Sequence, residues 1–197
     1  MPDQTTASTS MTGAGLALAF LILAGVAHAD ELADAAGKYR IDPSSHISFS
    51  VGQVAGGGIK GDFGKFRGTF RIDGRNIGKS NVNFTLLPAS VRTGETRVET
   101  FLRSDAIFDV ANYPEIVFRS TSVTRTGPDS ARIEGNLTAR GRTHKAVFNA
   151  TVERRNARNI NFHVQGQVLR SLYGMDAGTP IYSNLVNFNM QLQGSRG

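Results

Sequence analysis

The sequence predicts an all-β fold: an eight-stranded antiparallel barrel with a short helix in one connecting segment. Three observations carry this expectation. Apolar and polar residues alternate with period two in eight separate stretches, turn-forming residues divide several of these stretches, and only one segment shows helical spacing.

Taken in order, Ile47, Phe49 and Val51 alternate with Ser48, Ser50 and Gly52, and Phe66, Gly68, Phe70 and Ile72 alternate with Arg67, Thr69, Arg71 and Asp73. Each is the pattern of a strand buried on one face. The same alternation returns at Val82-Phe84-Leu86, Ile116-Phe118, Ile133-Gly135-Leu137-Ala139, Ala146-Phe148-Ala150-Val152, Ile160-Phe162-Val164 and Val186-Phe188-Met190-Leu192. Asp73-Gly74, Thr126-Gly127-Pro128-Asp129 and Arg140-Gly141-Arg142 are short enough for hairpins, which makes the strands they join antiparallel. Within residues 95–114, Val98, Phe101 and Leu102 recur at i, i+3 and i+4, the spacing of a short helix ending in a loop before the Ile116 strand. Strands with one apolar face each must stack as a sandwich or close on themselves, because an open sheet leaves that face in water and two edges unpaired. Closure is the preferred reading. A barrel of eight strands is either filled by its own side chains or holds one small ligand, and periodicity does not separate the two.

The chain has 197 residues, the size of one domain. Residues 1–29 read as a secretory signal peptide: an apolar run over 13–27 ends in Ala27-His28-Ala29, an A-x-A cleavage pattern before Asp30. The segment before the run contains Asp3 and no Lys or Arg, a departure from the usual positive start. A membrane anchor is the rival reading, but roughly 15 apolar residues fall short of the ~20 that cross a bilayer core. No Cys follows the run, which closes the lipoprotein route. Residues 30–197 then form one continuous domain, placed in the periplasm or secreted.

The full chain carries 22 Lys plus Arg against 16 Asp plus Glu, a net charge of +6, and removing the leader removes one carboxylate and no cation. For an exported basic domain the electrostatic partner is an anionic lipid surface or phosphate headgroup, not nucleic acid. Scattered Arg that merely keeps the surface soluble is an equal reading, and Arg154-Arg155 with Arg158 is read as a solvated loop cluster. With no Cys, disulfides, thiolate metal sites, iron–sulfur clusters and cysteine nucleophiles are excluded. His46, His144 and His163 lack any paired ligand spacing, so no metal site is expected. No G-x-S-x-G elbow is present. Gly56-Gly57-Gly58-Ile59-Lys60-Gly61 matches G-x-G-x-x-G literally, but it precedes a strand-like segment with no βαβ unit around it, so it reads as a tight turn between strands. Asp105 and Asp109, four apart, are the one carboxylate pair to weigh as acid and base; without a nearby His or Lys they read as loop-flanking residues. Three matches to the glycosylation acceptor pattern, at Asn83, Asn136 and Asn149, fall in strands and read as chance.

Five segments together resemble the YceI-like family of exported polyisoprenoid-binding proteins. They are Tyr39-Arg40-Ile41-Asp42-Pro43 leading into Ile47-Ser48-Phe49-Ser50-Val51; Gly61-Asp62-Phe63-Gly64-Lys65-Phe66-Arg67-Gly68; Leu102-Arg103-Ser104 through Phe108-Asp109 and Tyr113-Pro114-Glu115-Ile116-Val117-Phe118-Arg119-Ser120; Gly135-Asn136-Leu137-Thr138 with Gly141-Arg142-Thr143; and Arg170-Ser171-Leu172-Tyr173-Gly174-Met175. They stand in the family's order and span nearly all of residues 30–197. The resemblance implies a lipocalin-like barrel that holds a long isoprenoid or similar amphiphile, such as a quinone tail, inside. Many members have a His two residues beyond the first strand's apolar run, where this chain has Gln53. The family's Ser-x-(Phe/Tyr)-Gly stretch is kept as Ser171-Leu172-Tyr173-Gly174.

The expected function is binding and carriage of a polyisoprenoid, isoprenoid quinone or similar lipid, with no chemistry and no required cofactor. Phe49, Phe63, Phe66, Leu102, Phe108, Tyr113, Phe118, Phe162, Tyr173 and Met175 are the expected lining, because they combine apolar strand phase with positions in the resembling segments. Arg103, Arg119 and Arg170 are candidates for a polar or phosphorylated head at the mouth, although alternation with Phe118 points Arg119 outward. The alternatives are a structural or stress-protective barrel with a solid interior, and a lipid-processing enzyme using Asp105 or Asp109. The sequence leaves the oligomeric state open, a homodimer included, and does not say which end of the barrel opens or whether residues 95–114 form a lid.

Overall fold

The computed structural model describes residues 30–197; the leader reading for residues 1–29 lies outside them. Eleven strands follow a one-turn helix α1 (Glu31–Asp34): β1 (Gly37–Ile41), β2 (His46–Gln53), β3 (Gly58–Phe63), β4 (Phe66–Ile72), β5 (Asn81–Leu86), β6 (Val91–Arg92), β7 (Ile116–Arg125), β8 (Ser130–Ala139), β9 (Arg142–Arg155), β10 (Asn159–Leu169) and β11 (Tyr182–Arg196). Helix α2 (Thr96–Arg103) lies between β6 and β7.

Eleven strands make eight staves. One edge of β11 pairs with β10 along its length, while the other pairs first with β2, from Tyr182↔Gln53 to Gln191↔His46, and then with β1, from Gly194↔Ile41 to Arg196↔Tyr39. Strands β1 and β2 are therefore halves of one stave. The break falls at Pro43, which has no N–H to give a ladder, and Asp42 bridges it by donating its N–H to Gln193 O at 2.7 Å. Likewise β3 and β4 form a stave bent at Gly64-Lys65, and β5 and β6 one interrupted by a 3-10 turn over Pro88–Ser90. Because β1 pairs with both β4 and β11, the sheet closes into an antiparallel barrel of eight staves, each joined to the next in sequence. The eight stretches of alternation correspond to the eight staves. What alternation missed is the short half of three of them, where one or two inward side chains, such as Tyr39 and Ile41 or Val91, are too few to show a period.

The connections follow local chemistry. At the β8–β9 hairpin Arg140 and Gly141 have φ of 47° and 69°, the paired positive values of a two-residue turn whose twist suits a hairpin. Residues 126–129 join β7 to β8 as expected. The Asp73-Gly74 hairpin needs correction: the connection runs over residues 73–80, because the Asp73 carboxylate accepts N–H bonds from Arg75 and Asn76 and widens the turn into a 3-10 segment, Ile77–Lys79. Arg155 also departs from the solvated-loop reading. It ends β9 and ion-pairs with Glu31 and Asp34, while Arg125 reaches Asp30 at 2.7 Å, so two arginines pin α1 to the barrel.

Inside, aromatic rings lie across glycines of the neighbouring strand. A Cβ at Gly166 would stand 2.3 Å from the Phe148 ring, one at Gly135 2.6 Å from Phe118, and one at Gly61 3.0 Å from Phe49. A missing side chain on one strand thus lets a ring on the next lie flat along the wall. Phe118 and Phe148 then meet edge to face at 5.1 Å.

Candidate functional site

The barrel encloses a cavity of about 620 Å³, within the usual range for small-molecule sites. Its wall is the inward phase of the strands: Phe49 and Val51 from β2, Phe70 and Ile72 from β4, Phe84 from β5, Phe118 from β7, Phe148 and Ala150 from β9, Phe162 and Val164 from β10, Phe188 and Met190 from β11. Leu32 of α1 and Ile77 form the floor. At the other end Val98, Phe101 and Leu102 of α2, with Ile107 and Phe108 after it, complete the wall. Phe101 is 45% exposed and lines the cavity as well, so the cavity reaches the surface beside α2. A second approach to the surface, near the floor, passes the polar residues Arg71 and Asn81.

Helix α2 sits where the barrel lacks a ladder. Strand β6 pairs with β3 on one edge, and its other edge faces no strand, because β7 pairs only with β5 on that side. The backbone groups of this free edge are taken by two side chains. Arg103 donates to Ala89 O at 3.0 Å and to Val91 O at 2.6 Å, and the Glu99 carboxylate accepts from the N–H groups of Thr93 and Gly94. Glu99 and Arg103 pair with each other at 3.1 Å. The Thr93 N–H bond, with help from Arg103, holds the Glu99 carboxyl below its ordinary pKa.

Among the described residues Arg170 is the one buried cation in the wall, at 6% exposure. No carboxylate of the described residues lies within ion-pair distance of it. Its Nε donates to Ser183 O, one Nη to Met175 O and Ala177 O, and the other Nη to Thr179 Oγ1 and Tyr182 O. All five N–H donors of the guanidinium are engaged by the chain itself. Burial draws its pKa down, opposed by the charge of Asp176. Tyr173 is another buried wall residue whose hydroxyl has no hydrogen-bond partner, and burial pushes its pKa up to about 12. His144 packs edge-on against its ring at 5.3 Å.

Of the expected lining, Phe49, Phe63, Leu102, Phe108, Phe118, Phe162, Tyr173 and Met175 come together on the cavity wall. Phe66 and Tyr113 do not. Phe66 stacks on Phe84 at 6.1 Å, and Tyr113, on the loop before β7, lies over Gly141. Of the three expected arginines, Arg170 lines the cavity, whereas Arg103 faces the β6 edge and Arg119 points outward, as its phase implies. Phe70, Phe84, Phe148 and Phe188 are wall residues that the expected lining omitted, although strand phase alone would have included them. Gln53 ends β2, paired with Tyr182. Asp105 and Asp109 lie off the cavity wall, and the Asp109 carboxylate accepts the Asn112 amide at 3.0 Å. The described residues contain no cluster of three potential metal ligands.

Known proteins share this architecture. The solved structure of BcnA from Burkholderia cenocepacia superposes with a TM-score of 0.72 at 22% identity, covering 78% of this chain and 98% of that one. A polyisoprenoid-binding domain from Saccharophagus degradans, implicated in plant cell wall breakdown, gives 0.65 at 18% identity over 81% of this chain and 98% of its own. By sequence, a UPF0312 protein of Vibrio parahaemolyticus is 30% identical over 141 residues, 72% of each chain, and the YceI protein of Salmonella newport is 34% identical over 118 residues, 58% of this chain and 61% of that one. The YceI-like domain model matches residues 39–194, from the first barrel strand to the last. Since that match spans every stave and the wall of the cavity, the chain belongs to the YceI-like domain family.

Proposed function

We propose that this protein is an exported carrier that holds one long-chain amphiphile, a polyisoprenoid, an isoprenoid quinone or a similar lipid, inside the barrel. The observation that carries this reading is the 620 Å³ cavity and its almost wholly apolar wall. Each methylene moved from water into such a space gains about 0.8 kcal/mol, so a long hydrocarbon needs no strong polar contact to be retained. A solid structural barrel would have used its phenylalanines to fill this volume instead of laying them across glycines. The engagement of every Arg170 donor by the chain favours an uncharged or weakly polar head over a phosphorylated one.

The test is to purify residues 30–197 under native conditions, extract with organic solvent and identify the extract by mass spectrometry. A long-chain amphiphile near one-to-one stoichiometry is expected, together with thermal stabilisation by added isoprenoids or quinones. Ala150→Phe, which places a ring in the cavity, should abolish both. An empty extract with no thermal response to any of these lipids would return the solid-barrel reading.

A further inference from the structure

The geometry points to a membrane-docking surface at the α2 end of the barrel, one that works by apolar insertion and not by attraction to anionic headgroups. In a barrel whose staves follow in sequence, alternate connections fall at the same end. Residues 54–57, 93–115, 140–141 and 170–181 therefore share one end, while α1 and residues 73–80, 126–129 and 156–158 share the other. The large hydrophobic side chains exposed among the described residues are Val54, Phe101, Tyr113, Leu169, Leu172 and Ile181. All of them sit in, or directly border, the connections of the first end, and none is at the second. Val54 and Ile181, the two most exposed at 82% and 58%, are tied by the Val54 N–H bond to Ile181 O at 3.0 Å. Apolar side chains gathered at one place, with polar surface elsewhere, mark a contact surface.

Two observations select a bilayer as the occupant. Phe101 belongs both to this exposed set and to the cavity wall, so apolar surface runs from the tip into the interior beside α2. A partner seated there is continuous with the cavity, as the hydrocarbon layer in which a lipid cargo resides would be; the choice of a bilayer thus rests on the carrier reading. The charges of this end also supply no net positive drive. With bordering residues counted as for the apolar set, Glu95, Glu99, Asp105, Asp109, Glu115 and Asp176 stand against Arg92, Arg97, Arg103, Arg140, Arg142 and the buried Arg170. The positive excess of the chain lies on the barrel's sides and opposite end, away from the apolar tip. This is an apolar alternative to the anionic-surface expectation drawn from net charge.

The test is co-sedimentation of residues 30–197, within which the barrel closes and its core is complete, with phosphatidylcholine vesicles and with vesicles containing phosphatidylglycerol. Binding to both, with little response to added salt, is expected. Val54→Asp and Ile181→Asp should each lower partitioning about tenfold, since each removes an aliphatic group worth at least that factor when buried. Both sites lie on exposed connections, and an unchanged thermal midpoint will show that the fold is intact. Binding only to anionic vesicles that fades with salt overturns the proposal, as does wild-type partitioning in both variants or self-association through this end without vesicle binding. Absence of vesicle binding while solvent extraction still recovers a lipid overturns docking alone and leaves the carrier reading in place.

Discussion

Replacing Gly166 by Ala tests directly how the interior is kept hollow. Gly166 lies opposite Phe148 in the β9–β10 ladder, and the added Cβ would stand 2.3 Å and 2.7 Å from two carbons of that ring and 2.9 Å from Val147 O. No real Cβ tolerates such contacts, and the backbone at Gly166 is ordinary extended strand, so the effect is steric and not conformational. The ring must swing off the wall. Overpacking of this kind costs about 1–3 kcal/mol, and for a chain of this size each kcal/mol lowers the thermal midpoint by about 2–4 °C. Phe148 belongs to the cavity wall, so the displaced ring also takes volume from any guest. The assay is a paired one: thermal unfolding for stability, and recovered lipid per protein for occupancy. Both should fall in Gly166→Ala, and both should largely return in Gly166→Ala/Phe148→Leu, whose smaller side chain clears the new methyl. If Gly166→Ala melts with the wild type and carries as much lipid, the glycines do not hold the rings against the wall and the account of the hollow interior is wrong.

Removing the guanidinium in Arg103→Ala leaves the carbonyls of Ala89 and Val91 without their donor and should cost about 1–2 kcal/mol in urea denaturation at an unchanged m-value. Because Glu99 has a lower pKa folded than unfolded, its contribution is fully present above the unfolded value and disappears as pH falls through the folded one. Glu99→Gln should therefore flatten that part of the stability profile on the acid side of the ordinary glutamate range, read by thermal melts; an unchanged slope counts against the bond to Thr93. Arg170→Ala strips five acceptors on residues 175–183 and should destabilise by about 3 kcal/mol or more, with Arg170→Lys failing to restore it, because one ammonium cannot reproduce the forked donor set. Tyr173→Phe should be neutral or stabilising by about 1 kcal/mol, since the hydroxyl it deletes is buried without a partner; a clear loss of stability means that the hydroxyl does have one.

Strand phase made most of the fold and much of the cavity wall legible, because both depend on which residues alternate. Phe49, Phe118 and Phe162 illustrate this: one pattern gave strand, burial and inward direction together. Phe66 shows the limit, since its ring leans on Phe84 near the stave bend and inward phase alone does not specify where along the tube a side chain ends. The polar residues were harder. Arg103, half-buried, and Arg170, buried, donate mainly to backbone carbonyls, for which no residue pattern exists. Tyr113 likewise packs on a hairpin glycine that only the closed topology brings near.

The free edge of β6 gives the molecule one weak seam. Seven of the eight joints between staves are zipped by main-chain ladders over their overlap, but half of the eighth is held by a carboxylate and a guanidinium on a single short helix. Strain on the wall will part this joint before any other, and amide hydrogens near Val91 and Thr93 will exchange with solvent sooner than those of neighbouring strands. A guest could then slip out sideways while the rest of the cylinder stays rolled.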